Sequence, residues 1–107
     1  MSPTGRTPAE NVEEARYHVQ FVVTYLDEPA TQVATNAIAM RLSAALEAIS
    51  ALPVEMRDRV CMGEWMEMWG MRKRIAHGYA LTDGRLLRTT AERDVPTLLT
   101  RLAAELT

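Results

Sequence analysis

Three consecutive basic residues, Arg72, Lys73 and Arg74, stand shortly before His77 in the stretch "WGMRKRIAHGYALTD". Guanidinium and ammonium groups together hold a phosphate, and an imidazole moves protons near neutral pH. On residue type alone, the alternative is an ordinary basic helix C-terminus, with Tyr79 a packed ring whose hydroxyl caps a neighbour. No other stretch competes for chemistry. There is no Gly-rich phosphate loop, no HExxH, no GxSxG and no paired-carboxylate site, and Ser2, Ser43 and Ser50 lie in no nucleophile motif. Neither a metal nor a cofactor is expected.

Charge and composition narrow the ligand. The chain has 107 residues, 48% of them apolar, and a net charge of −2, which argues against broad coating of nucleic acid. The charge is uneven. Residues 1–56 carry three Arg against seven acids, for −4, while residues 57–93 carry eight basic groups against five acids, for +3. A local basic region on an acidic body suits a confined anion better than a long duplex. No apolar run is long enough to span a membrane, and the N-terminus lacks the apolar core of a secretory signal. With a single cysteine, Cys61, no internal disulfide can form, so the expected compartment is the cytoplasm and Cys61 reads as a small buried hydrophobe.

The elements that must position the basic stretch are helices. Thr7, Pro8 and Glu10 form a start signal, and apolar Val12, Ala15, Val19, Val22 and Leu26 recur at helical spacing until "DEPAT" breaks the pattern. His18 lies beside that stripe and reads as structural or surface. A second helix is predicted from about Thr31 to Ala51, with Ile38, Leu42, Leu46, Ile49 and Leu52 as its core stripe, and Pro53 marks its stop. A short helical piece follows from Val54 to about Val60. The third long helix starts near Gly63 and ends at Gly78 as a left-handed cap. "TDG" (82–84) reads as a turn, and a last helix is predicted from Arg93 to Leu106 with Pro96 in its first turn. No segment alternates with period two. The expectation is all-α, an up-and-down bundle of four to five helices forming one domain over 1–107, with residues 1–7 a flexible tail.

Met62, Met66, Met68 and Met71 crowd around Trp65 and Trp69 on that third helix. Thioethers bind soft metal, but adaptable packing in a core or a subunit interface is the stronger reading. Arg72 and His77 are five residues apart, about 500° around a regular helix, so they point roughly 140° apart. Either the backbone unwinds before His77, or two copies of the helix face each other and assemble the site. Cleavage of RNA by its own 2′-hydroxyl without metal needs a proton acceptor and a donor, which a symmetric dimer would supply from one histidine per copy.

At these residues the chain resembles a known family. "RKRIAHGY" (Arg72 to Tyr79) is similar to the R-x-x-x-x-H-x-Y motif of HepT-like toxins, members of the HEPN superfamily of helical ribonucleases. "WMEMWGMRKRIAHGYALTD", "LLRTTAERDVPTLLTRL" and "AMRLSAALEAISALP" resemble the family's motif helix, the helix after it and its second helix, so the likeness runs over roughly residues 12–106. Two positions depart from the pattern: Lys73 stands where Asn, Asp or His is usual, and Leu46 replaces a glycine.

The resemblance implies a catalytic pair, Arg72 and His77, that cuts RNA without metal, with Lys73 and Arg74 adding to phosphate binding. It implies a homodimer whose motif helices line a cleft. It also implies a partner, a nucleotidyltransferase antitoxin of the MntA type, which in some members attaches AMP to the tyrosine at the place of Tyr79. Such a bulky anion would compete with RNA for the same cations. A second reading is a non-catalytic subunit that holds a nucleotide for a nucleotidyltransferase, and a third is a purely structural dimerising bundle.

Overall fold

The computed structural model describes residues 6–78 and 83–107. Five helices and no strand occur among them: α1 (Pro8–Leu26), α2 (Gln32–Ser50), α3 (Val54–Cys61), α4 (Trp65–Ala76) and α5 (Gly84–Ala104). The all-α bundle predicted from periodicity is what forms. Of the tail expected over 1–7, residues 1–5 lie outside the described part.

α1 starts as its capping signal dictates. The Glu10 amide donates to Thr7 Oγ1 at 3.1 Å, and the Thr7 amide donates to Glu10 Oε1 at 2.9 Å. These reciprocal bonds satisfy two of the amides a helix start leaves without partners. They also hold the Glu10 carboxyl below its usual pKa, first through the Thr7 backbone amide. The stripe Val12, Ala15, Val19 and Val22 is wholly buried against α2 and α5. α2 is capped by Thr31, whose hydroxyl accepts from the Ala34 amide at 3.1 Å, and it buries Ile38, Leu42, Leu46 and Ile49. It is the central helix, packing on α1, α4 and α5.

The turn between α3 and α4 is tight. Met62 and Gly63 are both left-handed, at φ 52° and 78°, and the Gly63 amide donates to the Asp58 carbonyl at 3.1 Å. A residue with a Cβ would resist that conformation at Gly63. α4 therefore begins at Trp65, two residues after the expected start. At the α3 C-terminus, Arg59 donates from Nε and Nη2 to the Glu105 carboxylate at 3.0 and 2.8 Å, tying α3 to the end of α5. This fork holds the Glu105 carboxyl below its usual pKa.

The C-terminal helix corrects the sequence reading twice. It begins at Gly84, nine residues before the predicted Arg93, and Pro96 lies inside it. Asp83, expected in a turn, is its N-cap and accepts from the Leu86 amide at 3.3 Å; Thr82 lies outside the described residues. The physical reason is the buried series Leu87, Ala91, Val95, Leu98 and Leu102, spaced four, four, three and four residues apart, which continues through the proline. Pro96 is exposed and removes one helical hydrogen bond, a cost of up to about 3 kcal/mol. Burying the Leu87 and Val95 side chains, worth roughly 1.5–3 kcal/mol each, exceeds it. Gly84 permits the close approach of α5 to α2, because a Cβ there would lie 2.8 Å from Thr35 Cγ2.

Candidate functional site

The site is built on the last two turns of α4. Arg72 forms an ion pair with Glu47 of α2. Its guanidinium also lies over the Trp69 ring, 5.1 Å from the centroid. Trp69 stacks on Trp65 at 5.2 Å with 28° between the planes, and Arg57 of α3 covers Trp65 at 5.0 Å. The four side chains form a column, Arg57–Trp65–Trp69–Arg72, that gives Arg72 a fixed base. Its Nε is buried without a hydrogen-bond partner, so its outer nitrogens carry its polar contacts. Glu47 is the residue that functional reading of the sequence missed. It was visible as the one charge in "LEAIS", but only the packing of α4 on α2 places it against Arg72.

His77 is the C-cap of α4. Its amide still donates to the Lys73 carbonyl at 3.2 Å and to that of Arg74 at 3.1 Å, and the left-handed turn comes only at Gly78, with φ 83°. Of the two alternatives left open by the sequence, unwinding before His77 is therefore not what the chain does. Arg72 lies in α4 and His77 caps it directly after Ala76, so helix geometry still sets them about 140° apart. Arg72 leans toward α2, whereas the His77 side chain is exposed, as are those of Lys73 and Arg74. Tyr79 lies outside the described residues.

Beside His77, the outward face of α4 carries Met66, which is 79% exposed, and Gly70, whose Cβ direction meets no atom within 4 Å. Met62 is exposed as well, whereas Met68 and Met71 pack partly against the core. The methionine cluster thus divides between inward packing and an uncovered face. Among the described residues, no group of three or more His, Cys, Asp or Glu could hold a metal ion, and no helix is long and apolar enough to cross a membrane.

The remaining candidates are structural. Cys61 is buried, and burial pushes its thiol up to about 11. His18 sits between α1 and α2 with Nδ1 3.2 Å from Arg41 Nη1. Desolvation first, and the Arg41 charge second, lower its pKa, against a smaller opposing pull from Glu14.

An all-helical bundle with cations and an imidazole gathered at one helix end defines a small HEPN-like domain. The family described as Ribonuclease HepT-like matches residues 15–104, and the chain belongs to it. A protein of Caldanaerobacter subterraneus subsp. tengcongensis that bears a provisional RNase name is 26% identical over 99 residues, covering 87% of this chain and 88% of its own length. No solved structure matches the chain significantly.

Proposed function

We propose that the chain is a metal-independent endoribonuclease that works as a homodimer, with Arg72 and His77 as its catalytic residues. The observation that carries this reading is the unbroken helix between them. One copy aims its guanidinium and imidazole roughly 140° apart, so a site using both draws the second group from a facing copy. The uncovered stripe Met66, Gly70 and His77 supports a pairing that brings the two His77 side chains together, since a glycine lets two helices approach closely. In the cleft, Arg72 holds the scissile phosphate and stabilises the charge that builds on it. One His77 accepts the proton of the 2′-hydroxyl as its oxygen attacks phosphorus. The other His77 donates a proton to the departing 5′-oxygen, leaving a 2′,3′-cyclic phosphate and a 5′-hydroxyl. Lys73 and Arg74 draw the RNA backbone in, and unpaired RNA fits a small cleft best. In the cell the protein acts as a cytoplasmic toxin. A nucleotidyltransferase antitoxin neutralises it by placing AMP on Tyr79, two residues from His77.

Two variants test the shared site. Arg72→Ala and His77→Ala homodimers are expected to be inactive on single-stranded RNA in the presence of chelator. After subunit exchange between wild type and His77→Ala, activity should fall as the square of the wild-type fraction, because a heterodimer keeps only one of the two histidines that the reaction needs. Activity that falls only in proportion to the wild-type fraction, or loss of wild-type activity with chelator, refutes the mechanism. The other reading is a subunit that binds a nucleotide without cutting. It predicts calorimetric nucleotide binding, no RNA cleavage at any concentration, and no growth arrest on expression.

A further inference from the structure

Helices α4 and α5 make few direct contacts, and a groove of about 230 Å³ lies between them. Leu42 and Leu46 of α2 form its floor, and Met68 and Met71 of α4 line one wall. Its polar groups differ along its length. Arg74 stands toward the His77 end of α4, while Glu64 and Glu67 stand toward the other end, near Arg93 of α5, whose guanidinium is engaged by Asp94 through two bonds of 2.8 and 3.0 Å. Glu67 and Arg74 are separated by two helical turns, roughly 10 Å along the axis. Arg74 and His77 are three residues apart, hence only about 60° around the helix. The cationic end of the groove therefore opens beside the imidazole.

This arrangement fits one nucleotide. A cation receives the phosphate, and thioether walls receive a flat ring, since methionine sulfur makes favourable contacts with aromatic edges. Carboxylates receive the ring's hydrogen-bond donors. The volume suits a single ring system and is too small for a partner helix. A carboxylate accepts two parallel bonds from guanine, one from N1–H and one from the exocyclic amine. Uracil offers a lone N3–H between two carbonyl oxygens, which a carboxylate repels. Resting on the ribonuclease reading above, we propose that this groove is the base-selecting site of the enzyme. It takes the unpaired base beside the scissile phosphate, guanine in preference to uracil. Because Met66 and Gly70 face outward, the groove stays open along the rim of a cleft formed by two α4 helices.

The test uses the full chain carrying ¹³C-methyl methionine, titrated with the uncleavable nucleotides 2′-deoxyguanosine 3′-monophosphate and 2′-deoxyuridine 3′-monophosphate. The Met68 and Met71 methyl resonances should shift with the guanine nucleotide at concentrations about tenfold below those needed for the uracil one, the discrimination of a modest bidentate contact. Met40, exposed on α2, should not move. Leu86→Trp narrows the groove from a half-exposed position and should abolish both shifts. In parallel, cuts in an RNA with a randomised loop should be enriched beside guanine, and Glu67→Gln should flatten the enrichment. Shifts that are absent from Met68 and Met71, equal for the two nucleotides, or unchanged by Leu86→Trp overturn the assignment. Cleavage without base preference also overturns it and leaves the ribonuclease reading standing. No cleavage by the wild type takes both down.

Discussion

Glu47→Gln tests how Arg72 is held. The Glu47 side chain is 49% exposed and that of Arg72 30%, so water screens much of their attraction. An ion pair of that exposure contributes about 0.5–1 kcal/mol. Arg72 keeps its place over the Trp69 ring at 5.1 Å in the variant, which limits the loss further. A domain of this size loses roughly 4–8 °C of melting temperature per kcal/mol, so a drop of about 2–8 °C is expected. At 1 M salt the Debye length shrinks to about 3 Å, and the difference between variant and wild type should fall by half or more. In the proposed site, the same substitution removes an anion that competes with RNA phosphate for the guanidinium, so KM should decrease a few-fold. The value of kcat should fall, because Arg72 loses the partner that aims it. Thermal melts at two salt concentrations and steady-state cleavage of a single-stranded RNA measure both effects. A loss above about 2 kcal/mol that salt leaves unchanged refutes the screened-pair account, and an unchanged KM refutes the competition.

Three further outcomes follow from the geometry. The folded-state pKa of His18 lies below the ordinary value, so as pH falls through about 6.5 the unfolded chain binds the proton first and stability declines. His18→Gln should flatten the acid limb of a melting temperature against pH curve between pH 7 and 5; an unchanged limb contradicts the linkage. Cys61, buried and with its thiol pushed up to about 11, should react with a thiol reagent at pH 8 only at the rate of unfolding, and prompt labelling of native protein would falsify that. Pro96→Ala restores the missing helical donor at an exposed position. It should raise stability by about 1–3 kcal/mol in urea melts, whereas a loss of stability would mean that the proline supports the helix's path.

Local signals placed most of the helices. The Thr7–Glu10 capping box, the Thr31 cap, the stop at Pro53 and the left-handed Gly78 act within one or two turns, so they can be recognised from neighbouring residues alone. The first four helices accordingly fall within two residues of expectation. α5 does not, because proline in an isolated helix is a breaker. Only burial of Leu87, Ala91 and Val95 against residues far away in the chain outweighs that preference.

The candidate site divides along the same line. Identity and spacing placed a cationic stretch and an imidazole at a helix end, since both follow from residue type and a 100° turn per residue. They did not show what faces each group. Docking of α4 on α2 set Glu47 against Arg72, stacking built the column beneath it, and the gap beside α5 left a groove lined by Met68 and Met71. These are contacts between positions tens of residues apart, and no periodicity along the chain encodes which face of one helix meets which face of another.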